Sequence, residues 1–156
     1  MRTRLLHLLV ATALGTTTAA AGCATARSST ASDGDLARRE IVATLDRAAS
    51  DWNRGDLDAF LGDYLPGDST TFIGRTGVVR GVAAIRAVYA PRFAPGGVRD
   101  SLSFEQVEVH LLAPNVANTI AFYVLSRGDS TIARGPTSLV MRRIGGRWRI
   151  LHDHSS

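Results

Sequence analysis

The chain has one cysteine, Cys23, no lysine, and no apolar run long enough to hold a bilayer as a permanent helix. A lone cysteine leaves no partner for an intramolecular disulfide and no thiolate cage for a metal, so the fold must hold by its core. The absence of lysine makes all 18 basic residues arginines, which reads as composition bias before it reads as function. Without Arg2 and Arg4, which lie in the leader described below, 16 basic residues face 14 acidic ones, a net charge of +2 with neutral histidines. That near balance lacks the basic stripe that neutralising phosphates requires, so no nucleic-acid partner is expected. Arg142, Arg143, Arg147 and Arg149 do cluster, but they flank a turn and alternate with apolar residues, as solvent-facing strand positions do. Histidine is also scarce. Beyond the leader only His110, His152 and His154 occur, whereas a zinc site takes three or four ligands, so neither metal nor cofactor is expected.

What is present begins with an address. Arg2 and Arg4 precede an apolar run from Leu5 to Leu14, and small residues follow, ending Ala20-Ala21-Gly22-Cys23. That order is a secretory signal peptide, and its apolar run falls well short of the roughly twenty residues of a spanning helix. The segment resembles a bacterial lipobox, with Cys23 as the residue acylated after cleavage behind Gly22 and with Ala20 where a leucine is preferred. Small-residue patterns also suit ordinary cleavage after Ala21 or Ala26. Residues 1–22 are therefore expected as a leader, leaving a protein of the cell envelope, tied to the membrane through a lipid or secreted. Residues 23–34 are small and polar without apolar periodicity, and are expected as a flexible tether. Residues 35–156 suffice for one core and one domain.

The domain opens with helical periodicity. Ala37, Ile41, Leu45, Ala48 and Trp52 recur at spacings of three and four, which predicts a helix from about Asp35 to Arg54 with Arg38, Arg39, Asp46 and Arg47 in solvent. Gly55 supplies the stop, and Asp56 caps a short second helix whose Leu57, Phe60, Leu61 and Tyr64 share a face. After Pro66-Gly67-Asp68 a short strand is expected over residues 70–73. A turn at Arg75-Thr76-Gly77 follows, then a third helix from near Gly81 with Val82, Ile85, Tyr89 and Phe93 inward. Beyond Arg99 the pattern is an antiparallel meander over 101–112, 116–127, 130–144 and 147–155. Its turns are Pro114-Asn115, Gly128-Asp129 and Gly145-Gly146. Helices first and strands afterwards predict an α+β fold with three helices on one face of a curved, mostly antiparallel sheet, enclosing a pocket in a cone.

At this point the chain resembles a known group, the nuclear-transport-factor-2-like (NTF2-like) superfamily in its SnoaL-like bacterial branch. The residues that carry the resemblance are Trp52-Asn53-Arg54-Gly55-Asp56-Leu57-Asp58, Arg80-Gly81-Val82-Ala83-Ala84-Ile85-Arg86 and Trp148-Arg149-Ile150-Leu151-His152-Asp153-His154-Ser155-Ser156. The resemblance implies the cone-shaped fold and a homodimer paired through its sheets. It does not imply one activity, because this fold hosts isomerases, cyclases, dehydratases, pure binders and assembly domains. Ketosteroid isomerases of the superfamily use a carboxylate base and a tyrosine with a protonated acid. Laid over them, this chain has Arg47 at the tyrosine, Ile73 near the base and Thr137 or Ser138 near the acid, so that mechanism is not inherited.

Strict alternation along the last strand puts Trp148, Ile150, His152 and His154 on one face, and the first two argue that it is the inner one. His152 and His154 are then the candidate catalytic residues, while Arg147, Arg149 and Asp153 face solvent or a partner subunit. Trp52, Tyr64, Tyr89, Tyr123 and Trp148 are expected as pocket walls with polar tips. Such a pocket suits a small apolar or aromatic molecule. Two functions follow: a lipid-anchored binding or dimeric interaction module, favoured because no isomerase carboxylate is matched, or a small isomerase, cyclase or hydratase using the histidines.

Overall fold

The first helix forms because one stripe of its surface is apolar. In the computed structural model, Ala37, Ile41, Leu45, Ala48 and Trp52 are all buried, and they lie along α1 (Ala21–Arg54). The structure describes the backbone of residues 21–156 and the side chains of residues 33–156. Most of the expected leader, and the Cys23 side chain, lie outside the described residues. The helix begins well before Asp35, so the backbone of the stretch expected as a tether is helical. Extending a helix already nucleated adds one hydrogen bond per residue fixed, and alanines at 21, 24, 26 and 31 favour that extension. Among the described residues no helix is long and apolar enough to cross a membrane.

Gly55 ends α1 at φ 78°, a conformation in which a Cβ is unfavourable. Asp56 then caps α2 (Leu57–Leu61), its Oδ1 accepting from the Ala59 N–H at 2.9 Å. The chain next forms a small hairpin of β1 (Thr71–Gly74) and β2 (Gly77–Arg80), and α3 (Val82–Phe93) follows Gly81. The long strands are β3 (Ser101–Ala113), β4 (Val116–Arg127), β5 (Ser130–Ile144) and β6 (Arg147–Ser155). They join the hairpin in one six-stranded sheet of order β2-β1-β6-β5-β4-β3. All pairings are antiparallel except β1 with β6, which run parallel. The fold is therefore α+β, with the N-terminal helices packed on a mixed sheet.

Two irregularities in the sheet matter. β3 shifts register against β4 between Glu105 and Glu108, and Gln106 there has φ 52°, rare for a residue with a side chain. β6 shifts against β5: Met141 lies opposite Ile150, but Val140 lies opposite His152. Leu151 is thus an extra residue in β6. The bulge sits where the strand changes partner on its other edge. Ile150 exchanges backbone hydrogen bonds with Asp63 and Leu65, both at 2.8 Å, and from His152 onward the partner is β1.

A bulge reverses the side-chain phase beyond it. Trp148 and Ile150 point into the core, and the next buried side chain of β6 is Asp153, not His152 or His154. Truncating buried Ile150 to alanine should cost about 2–5 kcal/mol through lost transfer energy and a cavity. His154→Gln should stay within about 0.5 kcal/mol, as expected for an exposed side chain. Urea denaturation of the two variants checks this, and comparable losses would contradict the assigned phase.

Candidate functional site

The three helices and the sheet enclose a cavity of about 380 Å³. Its wall is mostly apolar because each element turns its buried stripe toward it: Leu45, Ala48 and Trp52 from α1, Phe60 from α2, Phe72 from β1, and Leu139 and Ile150 from the sheet. Several of these rings meet edge to face. The Trp52 and Phe60 centroids are 5.4 Å apart, Phe60 and Tyr89 5.3 Å, and Trp52 and Tyr89 5.8 Å. Such contacts hold rings in fixed orientations and stiffen the wall. Trp52 also donates its indole N–H to the Asp100 carbonyl at 2.8 Å, which fixes the ring's orientation.

One polar cluster interrupts this wall. Asp153, 5% exposed, accepts from the Tyr64 hydroxyl at 2.6 Å on Oδ2 and from the Ser155 hydroxyl at 2.7 Å on Oδ1, with the Thr137 hydroxyl at 3.5 Å. Burial pushes the Asp153 carboxyl above its ordinary value of 3.8, because the charged form is disfavoured away from water. The Tyr64 hydroxyl, then Ser155, the nearby His152 and Thr137 pull the other way. Burial also raises Tyr64 well above the usual phenol range, and the Asp153 charge adds to it. Tyr89, close to the Tyr64 hydroxyl, is raised by the same two causes, while Tyr64 and the Arg92 charge act against them. The interior therefore holds a carboxyl group whose charged form is disfavoured relative to that of an exposed aspartate, beside two phenols that keep their protons.

The residues named from sequence fall into three groups. Trp52, Tyr64, Tyr89 and Tyr123 border the cavity. Trp148 is buried but lies elsewhere, donating its indole N–H to Glu40 at 3.0 Å beneath α1, where Arg143 holds the other oxygen of the same carboxylate at 3.0 Å. His152 and His154 are not at the cavity. The half-buried His152 pairs through Nδ1 with the Thr71 hydroxyl at 2.6 Å, and His154 is exposed. The expected orientation is thus corrected: Asp153 faces inward and the histidines do not, because Leu151 is bulged. A signal existed in the adjacent apolar pair Ile150-Leu151, which breaks alternation just before the histidines. Of the positions laid over ketosteroid isomerases, Thr137 borders the cavity, whereas Arg47 pairs with Asp63 at 2.5 Å and Ile73 lies in the hairpin opposite Val78. Among the described residues no three His, Cys, Asp or Glu side chains converge as a metal site.

The SnoaL-like domain family profile matches residues 41–156. No curated protein matches the chain in sequence. An NTF2-like protein of unknown function from Shewanella oneidensis MR-1 superposes with a TM-score of 0.69 at 28% identity, covering 76% of this chain and 97% of that one. A second NTF2-like protein of unknown function, from Pseudomonas putida KT2440, gives 0.64 at 22% identity over 78% of this chain and 87% of that one. A cystatin-like fold from Nostoc punctiforme gives 0.64 at 15% identity over 77% and 90%.

The raised Asp153 has a consequence for stability. Between 3.8 in the unfolded chain and its higher folded value, the native state binds more protons, so this group's contribution is full below 3.8 and declines as pH rises. Asp153→Asn removes the titration. The difference in melting temperature between variant and wild type should move in the variant's favour as pH rises from about 4 to about 8. A difference that is flat across that range would mean the carboxyl is not held in a desolvated site.

Proposed function

This chain belongs to the SnoaL-like domain family, and from that premise we propose that its domain holds a small, largely apolar or aromatic molecule in the cavity between helices and sheet. The observation that carries the proposal is the cavity itself, about 380 Å³, walled by interlocked aromatic rings and bearing a few convergent polar groups around Asp153. That is the usual constitution of a small-molecule site, in which apolar surface supplies affinity and sparse polar groups supply orientation. Native mass spectrometry of the purified domain is the direct test. A bound species released on denaturation and absent from Ala48→Leu, which fills the cavity, supports it; an identical spectrum for both proteins opposes it.

The enzymatic reading survives with a different residue. Catalysis by His152 or His154 within the cavity has no geometric support, but a buried carboxyl hydrogen-bonded to Tyr64 has the build of a proton-transfer group facing a polarisable oxygen. The domain would then be an isomerase, cyclase or hydratase with Asp153 as acid or base.

The proposal places this domain in the cell envelope, facing the periplasm or exterior, tied to the membrane through an acylated Cys23. The basic, apolar and small-residue order of residues 1–23 supports this. It also pairs the domain as a homodimer through the sheet face that carries the exposed Ile120, with the exposed Arg147 and the half-exposed Arg149 supplying charge; Asp153 no longer belongs to that set. In bacterial expression the full chain should partition with membranes, and Cys23→Ser should release or stall it. The domain from Asp35 onward should scatter light as a dimer at tens of micromolar. Wild-type protein recovered wholly in the soluble fraction, or a monomer mass, would defeat the respective reading.

A further inference from the structure

Resting on the small-molecule reading above, we infer that the cavity selects an amphipathic anion: an apolar or aromatic body within the ring cage, and a carboxylate at the mouth held by Arg75 and Arg92. The lining divides by exposure. Asp153, Thr137 and Ile150 are buried, whereas Arg75, Thr76 and Arg92 border the same cavity and are exposed, which places them at its opening. Arg75 occupies the two-residue turn between β1 and β2, and Arg92 lies in the last turn of α3. Two separate elements therefore bring guanidinium groups to one rim.

Neither of these arginines has a hydrogen bond or ion pair among the described residues. Arg47, Arg86, Arg127 and Arg143 pair with Asp63, Asp58, Asp100 and Glu40 respectively, and of the arginines without such a pair only Arg75 and Arg92 border the cavity among the described residues. A cation at a helix C-terminus is favourable by itself, which accounts for Arg92 on α3 but not for Arg75 on a hairpin turn. The Arg92 charge is also felt inside the cavity, where it acts on the Tyr89 hydroxyl. Guanidinium groups suit carboxylates through paired donors, and the hydroxyl of Thr76 adds a further donor at the rim. The charge distribution within the site agrees: its acid lies deep and its cations lie outermost, so an anion entering head-outward meets attraction at the mouth and keeps clear of Asp153.

The test is isothermal titration calorimetry of the domain with 2-naphthoate and with 2-naphthalenemethanol, which match in ring system and differ in charge. The carboxylate should bind about tenfold or more tightly than the alcohol at low salt, and the preference should shrink as salt is added. Arg75→Gln/Arg92→Gln should abolish the preference by lowering carboxylate affinity to that of the alcohol, with only a small fall in melting temperature from losing the exposed Arg92 cation at the α3 C-terminus. Equal affinities for the two probes, or a preference that survives in the double variant, would overturn the inference while leaving the cavity as a small-molecule site. Failure of both probes to bind would count against the cavity reading itself.

Discussion

The hydrogen bond from Tyr64 to Asp153 joins the segment after α2 to the last strand across 89 residues of sequence, inside an otherwise apolar wall. A carboxyl group placed there without partners would be strongly unfavourable, and removing one member of a satisfied buried pair leaves the other exposed to that penalty. The rest of the local architecture is consistent with keeping the pair intact. Thr137 comes to Asp153 from neighbouring β5 and Ser155 from two residues along β6, β1 runs alongside β6 so that Phe72 stands opposite Asp153, and the backbone of Ile150 is locked to Asp63 and Leu65 on either side of Tyr64. The Leu151 bulge is the geometric condition for all of this, since without it the carboxyl would face away from the cavity.

Much of the secondary structure was legible because it follows local rules. The α1 stripe, the Asp56 cap, the glycine at the start of α3 and the turns at Gly128-Asp129 and Gly145-Gly146 each have a short-range cause, and the last three strands lie over the expected spans. What escaped depends on partners distant in sequence. The parallel pairing of β1 with β6 and the bulge at Leu151 arise where one strand exchanges neighbours, which no window of alternation contains. For the site, Trp52, Tyr64, Tyr89 and Tyr123 could be named as large side chains with polar tips, the first three also from helical periodicity, and all four border the cavity. Asp153 could not, because a strand's phase was carried across a residue that resets it. Trp148 shows the converse limit: inward orientation was read correctly, but the interior has a dry end beneath α1 as well as a hollow one.

That dry end is organised by charge. Glu40 receives Arg143 on one oxygen and Trp148 on the other, tying α1 to β5 and β6. Asp63, which is fully buried, takes Arg47 from α1 at 2.5 Å with Arg147 at 3.9 Å, and its second oxygen has no partner among the described residues. Burial raises its pKa, and Arg47 opposes that shift. These two buried aspartates, Asp63 after α2 and Asp153 on β6, thus have different surroundings. Asp63 faces guanidinium groups and serves attachment of the helices, whereas Asp153 faces hydroxyls and an open cavity.

This difference bears on what the cavity can do. Burial raises both aspartates, but guanidinium charges oppose the shift at Asp63, whereas hydroxyl groups and the nearby His152 oppose it at Asp153. Asp153, unlike Asp63, borders the cavity. In the neutral form it can donate to an acceptor oxygen; in the charged form it can receive a proton or a donor. Tyr64 and Tyr89, both raised by burial, remain donors across the neutral range. On the proposed small-molecule reading, the groups around Asp153 would favour a molecule with an oxygen acceptor or hydroxyl at that depth. On that reading, binding and proton transfer would differ only in whether the held molecule has a labile hydrogen within reach of Asp153.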